Sequence, residues 1–167
     1  MVHAQHLAIR VSNLELSTRF YLETFKAKKV LNHYCNSRHF TELFFDIKDT
    51  EYLIGFIELA DGFGLELIQF VPDAHPTIGV PQPQASFMHF AVAVDDVEAT
   101  LSRAIAAGGV SLSPPGGWAP SDPAKYTYLK DPDGNVIELN DTTWPRILAS
   151  ATELHPQAAL QHAELQE

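Results

Sequence analysis

The chain has 167 residues, with 21 acidic against 11 basic side chains and a formal net charge of −10. That length suits one compact domain or two small fused modules, and the acidic balance excludes a nucleic-acid partner, whose phosphates need a basic surface. The first residues lack the basic and apolar regions of a signal peptide, and no apolar run reaches the roughly 18–20 residues that span a bilayer, so the setting expected is cytoplasmic, away from membranes. Cys35 is the only cysteine, which excludes an intrachain disulfide and a cysteine zinc cluster.

In chain order, His6–Val11 alternates as a half-buried strand does: Leu7, Ile9 and Val11 face one side, His6, Ala8 and Arg10 the other. Ser12 or Asn13 caps a helix over Leu14–Phe25. Strands are expected over Lys29–Tyr34, Tyr52–Leu59 and Leu65–Phe70, with Asp61-Gly62 turning between the last two. Phe40–Ile47 reads as either a strand or a short helix. Four prolines between Pro72 and Pro83 mark a linker. A second strand follows, with Phe90, Val92 and Val94 on one face and His89, Ala91 and Ala93 on the other. A helix over Val97–Ala107 stops at Gly108-Gly109. Ser113–Pro123 reads as a loop, Tyr126–Lys130 as a strand, Asp131-Pro132-Asp133-Gly134 as a tight turn, and Asn135–Asn140 as the last strand. A helical tail runs from Thr143 to His155, before Pro156. The expected organisation is a first module over 1–71, a linker over 72–85, a second module over 86–141 and a helical tail over 142–167. Each module is a strand, a helix and about three strands.

The two modules repeat one another. His6-Leu-Ala-Ile-Arg-Val11 matches His89-Phe-Ala-Val-Ala-Val94 at a constant offset (89 − 6 = 83), which also carries Glu15 onto Glu98. Each module ends on a glutamate between aliphatics, Leu65-Glu66-Leu67 and Ile137-Glu138-Leu139. A strand histidine is by default a satisfied core or surface residue, and such a glutamate is by default an exposed edge. The joint occurrence in both modules, on the same strand and face, points instead to a two-His, two-Glu metal site: His6, Glu66, His89 and Glu138. Bulky neighbours would cover the helix of each module, and alanines beside the histidines would leave room for a cavity. Histidine nitrogen with carboxylate oxygen suits one divalent ion of the zinc, nickel, cobalt, manganese or iron(II) kind, without selecting among them.

His6-Leu-Ala-Ile-Arg-Val, Phe20-Tyr21, Glu66-Leu-Ile, His89-Phe-Ala-Val-Ala-Val-Asp95 and Asp131-Pro-Asp-Gly-Asn-Val-Ile-Glu138-Leu together resemble the vicinal oxygen chelate superfamily, the group of glyoxalases, bleomycin-resistance proteins and extradiol dioxygenases. The resemblance covers residues 3–141. It implies an α+β fold of two tandem βαβββ modules, forming a curled mixed sheet around a metal-binding cavity. His6, Glu66, His89 and Glu138 fall where glyoxalase I-like lyases keep their ligands. The implied chemistry is a lyase or isomerase reaction on an α-oxygenated carbonyl, through a metal-stabilised enolate or enediolate, with Glu138 as first candidate base and Glu66 as second. Arg10, on the face of His6, falls where glutathione-using glyoxalases hold a substrate carboxylate; its ordinary alternative is a surface cation. Phe70, four after Glu66, stands where those enzymes tend to be polar.

The first module is longer between its ligands (66 − 6 = 60, against 138 − 89 = 49), and the added residues are expected within Cys35–Asp49, at the pocket mouth. Phe44, Phe45, Phe56, Trp118, Tyr126 and Tyr128 are candidates for an aromatic wall or for core, and Lys125 and Lys130 read as solvated. Four functions stay open: a glyoxalase I-like enzyme, a methylmalonyl-CoA epimerase-like enzyme, an iron(II) dioxygenase using His6, His89 and Glu138, and a non-enzymatic small-molecule binding protein. The partner expected is a small-molecule substrate, and a homodimer would let two chains share a site.

Overall fold

The computed structural model describes residues 4–35, 41–42, 47–73, 88–117 and 123–154. The first half runs β1 (His6–Arg10), α1 (Leu14–Phe25), β2 (Lys28–Cys35), β3 (Glu51–Glu58) and β4 (Gly64–Val71). The second runs β5 (Phe90–Ala93), α2 (Val97–Ala106), β6 (Val110–Ser111), β7 (Gly116–Gly117), β8 (Lys125–Lys130) and β9 (Val136–Asn140), followed by α3 (Trp144–Leu154). Two mixed sheets result, ordered β1-β4-β3-β2 and β5-β9-β8-β6, with β7 also paired to β8. This is the expected α+β class, the first half a βαβββ unit and the second the same plan with its strand after the helix replaced by the two short strands β6 and β7; neither sheet closes on itself. No helix among the described residues is long and apolar enough to cross a membrane.

In both halves the first strand runs parallel to the last and beside it. Ala8 stands opposite Glu66, and Ala91 opposite Glu138. A parallel neighbour needs a crossover, which α1 and α2 supply. Both helices begin on a side-chain cap at the same offset of 83: Asn13 Oδ1 accepts from Leu16 N at 3.0 Å, and Asp96 Oδ1 from Ala99 N at 2.8 Å. The topology therefore brings a histidine and a glutamate that are 60 or 49 positions apart onto neighbouring strands.

One core serves both halves. Phe20 and Tyr21 of α1, Leu101 and Ala104 of α2, Ile57, Leu65 and Leu67 of the first sheet and Leu129, Ile137 and Leu139 of the second are all buried in a single cluster. Gly109 permits this packing: a Cβ there would lie 2.8 Å from Phe20 Cε2 and 3.0 Å from the carbonyl oxygens of Ala104 and Lys130. The Asp-Pro-Asp-Gly turn locks the halves together by hydrogen bonds. Buried Asp131 accepts from Asp133 N at 2.9 Å and Asn135 N at 2.8 Å, closing its own turn, and from Tyr21 Oη of α1 at 2.7 Å. Asp133 accepts from Ser12 N at 2.7 Å and Ser17 Oγ at 2.6 Å, which sets a carboxylate against the N-terminal, positive end of α1.

Most expected elements lie within a residue or two of their places. Strands β6 and β7 are additions, and β7 falls within the stretch read as a loop. Each is only two residues long, too short for periodicity to show. In the ambiguous segment, Thr41–Glu42 are helical and Ile47 is buried against Tyr52, Ile54, Ile68 and Phe70; Phe44 and Phe45 lie outside the described residues, as do Trp118 and most of the linker. Lys125 is not simply solvated: its Nζ pairs with Glu98 Oε1 at 2.5 Å.

Candidate metal centre

The first half-site stands on β1 and β4. His6 Nε2 lies 3.8 Å from Glu66 Oε1, with 43% and 27% of the two side chains exposed. Leu65 and Leu67 on either side of Glu66 are buried in the core, so the strand's period of two sends the carboxylate to the other face. Gln5 Oε1 lies 2.9 Å from His6 Nδ1; an amide oxygen can only accept, so Nδ1 carries the proton and Nε2 presents its lone pair. The pair borders a cleft of about 410 Å³ whose walls include Val30, Leu31, Phe56 and Gly64. Gly64 faces His6 across the ladder; a Cβ there would lie 3.1 Å from His6 Cβ, so the absent side chain sets the room for the imidazole.

The second half-site repeats this on β9 and at the residue that leads into β5, with more support. His89 Nε2 lies 3.2 Å from Glu138 Oε2. Glu138 is only 4% exposed, and burying a carboxylate to that degree costs several kcal/mol in order of magnitude unless its oxygens are satisfied. They are: Tyr128 Oη donates to Oε2 at 2.8 Å, and Asn140 Nδ2 to Oε1 at 3.0 Å. The Tyr128 ring also meets the His89 ring edge to face, with centroids 5.3 Å apart. Burial first, then the bond to Glu138, pushes the Tyr128 phenol up to about 12, so at neutral pH it is protonated and donating.

From the sequence, Tyr128 is a candidate for an aromatic wall or for core, and Gln5 and Asn140 carry no expectation. A signal for two of them was present: the four-residue turn at 131–134 folds β8 back on β9 so that 128 faces 138, and 140 shares the face of 138.

The four predicted ligands come together as two pairs, not as one group. Each pair lies on the face of its sheet turned away from the common core, and the described residues contain no cluster of three or more potential ligands. Ala8, Ala91 and Ala93, expected to line a cavity, are exposed on these faces. Arg10 lies on the face of His6 as expected and is ion-paired with Asp73. Phe70, four after Glu66, is buried with Ile47, Tyr52, Ile54 and Ile68, so the far end of that face is an apolar block.

The donors suit a divalent cation. An imidazole nitrogen and a carboxylate oxygen can each give an electron pair to a cation, and each half holds one of each face to face. The Gln5 contact is of the kind that orients a ligating histidine, and the Tyr128 and Asn140 contacts are of the kind that orient a ligating carboxylate.

A fold with paired parallel His and Glu strands defines a class, and comparison with known proteins agrees. Residues 3–139 match the model of the Glyoxalase/Bleomycin resistance protein/Dioxygenase superfamily, and the chain belongs to that family. Among curated proteins it is 29% identical over 141 residues to the Arabidopsis thaliana protein named Lactoylglutathione lyase GLX1, covering 80% of this chain and 42% of that protein. It is 28% identical over 137 residues to a probable lactoylglutathione lyase of Vibrio parahaemolyticus, covering 80% and 86%. The chain therefore spans less than half of the plant relative and most of the bacterial one. In fold it is similar to a glyoxalase family protein of Bacillus cereus, with a TM-score of 0.68 at 17% identity over 84% of this chain and 93% of that one. It is also similar to the fosfomycin resistance protein FosX of Mesorhizobium loti, with a TM-score of 0.57 at 22% identity over 89% and 98%.

Proposed function

We propose that this chain is a divalent-metal-dependent lyase or isomerase of the glyoxalase I type, and that its working site is shared between two copies. The observation that carries this is the pair of equivalent His–Glu contacts, 3.8 Å and 3.2 Å, on equivalent strands of the two sheets. His6, Glu66, His89 and Glu138 would hold the ion. When bound it supplies Lewis acidity toward a carbonyl oxygen, which acidifies the neighbouring C–H. The chain's own part is to remove a proton from one carbon and return it to the adjacent one, and Glu66 and Glu138 are its carboxylates for that transfer. No oxidant is required, because the substrate is only rearranged. Arg10 would turn from Asp73 to a substrate carboxylate. The retention of a full His–Glu pair in each half favours four donors over the three of a dioxygenase-type triad.

Because the half-sites do not meet within a chain, a two-fold partner is the simplest way to complete them. If the first half of one copy faces the second half of the other, symmetry makes two identical sites. The relatives' names direct the choice of substrate to the hemithioacetal isomeric with lactoylglutathione. The test is to strip the protein with a chelator, restore zinc, nickel, cobalt or manganese separately, and follow conversion of the glutathione–methylglyoxal hemithioacetal to the thioester. Conversion that disappears on chelation and returns with metal is expected. A protein that binds no divalent ion, or binds it and leaves the hemithioacetal and other α-oxygenated carbonyls unchanged, would overturn the proposal.

A further inference from the structure

The two half-sites repeat one another in fold but differ in what holds their carboxylates. The ladder β3–β4 sets Phe56 opposite Glu66, and β8–β9 sets Tyr128 opposite Glu138, at one offset (128 − 56 = 138 − 66 = 72). Two residues beyond each glutamate, on its own face, stand Ile68 and Asn140. So the second half has a phenol and an amide where the first has a benzyl ring and a branched alkyl group, neither able to donate. Glu138 has a donor on each oxygen and 6% of its side chain exposed. Glu66 is 27% exposed, and its polar partner among the described residues is His6 at 3.8 Å.

This difference decides which carboxylate can move. If Glu138 swung away, the buried Asn140 amide and the half-buried Tyr128 hydroxyl would both lose their acceptor, a penalty that opposes displacement. Glu66 leaves no stranded donor behind, and the cleft beside it, bordered by Val30, Leu31 and Phe56, gives its side chain somewhere to go. Resting on the function proposed above, we infer that the two glutamates divide the work. Glu138 is the fixed carboxylate that holds the cation, with Tyr128 and Asn140 as its positioning residues. Glu66 is the carboxylate that swings to the substrate. The substrate C–H bond breaks and an O–H bond forms on Glu66, the electron pair remaining in the substrate; the same proton then passes to the neighbouring carbon while the substrate's hydroxyl proton moves from its own oxygen to the neighbouring one, and Glu66 returns ionised. This reverses the order of preference that sequence resemblance alone suggests.

The test combines zinc affinity, measured by competition with a chromogenic chelator, with turnover of the hemithioacetal at saturating zinc. Tyr128→Phe keeps the ring and removes only the donor; it is expected to weaken zinc binding about 10–100-fold, the range for removing a partner of a metal ligand. Glu138→Gln should lose more zinc affinity than Glu66→Gln, whereas at saturating zinc Glu66→Gln should lose turnover. Phe56→Tyr offers Glu66 the donor it lacks and is expected to lower kcat while leaving zinc affinity and KM near wild type. Unchanged zinc affinity in Tyr128→Phe, or full turnover in Glu66→Gln, would overturn the division of labour even if the wild type binds zinc and turns over. A wild-type protein that binds no divalent ion would instead overturn the function itself.

Discussion

Tyr21 shows how much one hydroxyl can carry in this chain. It is fully buried in α1 and donates across the halves to Asp131. Burial first, and the Asp131 carboxylate second, hold the phenol well above its ordinary 10.0. The folded chain thus keeps a proton that the unfolded chain releases near that pH. The stability from this bond is complete below the unfolded value and is lost as pH climbs toward the folded one. Tyr21→Phe is expected to cost about 1–2 kcal/mol in urea unfolding at neutral pH, and the gap to wild type should narrow above about pH 10. A gap that widens with alkalinity would show that the phenol is not the group responsible. At this scale the two His–Glu pairs of the candidate site were legible: His6 with Glu66 and His89 with Glu138 follow from repetition and from the rule that alternate strand residues share a face. The Gln5, Tyr128 and Asn140 contacts were not, because they depend on side-chain rotamers and on strand register.

Among the elements, the caps and the turn chemistry were readable and the smallest strands were not. Asn13, one of the two caps the sequence offers, starts α1, and Asp96 starts α2 at the expected place, since a short polar side chain ahead of an amphipathic run has a local physical reason. β6 and β7 exist through their pairing with β8, and two residues apiece are too few to show a period of their own. The Asp-Pro-Asp-Gly segment reads as a turn, but its grip on α1 is tertiary and invisible locally. The stop after α2 carries its own test. Gly108, at φ 101, ends the helix, and Gly109 after it lies where Phe20 and two carbonyl oxygens leave no room for a methyl group. Gly109→Ala should destabilise by about 1–3 kcal/mol through overpacking, lowering the melting temperature by several degrees. An unshifted melting curve would mean that α1 yields at that contact.

For the whole molecule, strand faces reveal which residues share a side but not which way two sheets turn. The sequence therefore indicated two candidate His–Glu pairs and left open whether they meet in one chain; the structure keeps them apart, on outward faces. A shared site has a distinctive genetic consequence. Glu66→Gln and Glu138→Gln homodimers should each be impaired, the first in proton transfer and the second in holding the ion. In a mixed dimer, one site would carry both substitutions and the other neither. Co-refolding equal amounts of the two variants should then restore about a quarter of wild-type activity, since about half the dimers are mixed and half their sites intact. A site contained within one chain would show no recovery.

The common core of α1, α2 and both sheets has a consequence for how the repeat can be altered. Its two copies look like separable pieces on paper, yet Phe20 and Tyr21 of the first are buried among side chains of the second, and the second's turn holds the first helix at its N-terminal end. Neither copy owns a complete interior. Strain introduced in one is therefore felt in the other, and a cut at the proline-rich join would leave two fragments, each with an apolar flank turned to water. What began as a duplication has become a single thermodynamic unit, free to vary its two outer faces independently only because its inside is shared.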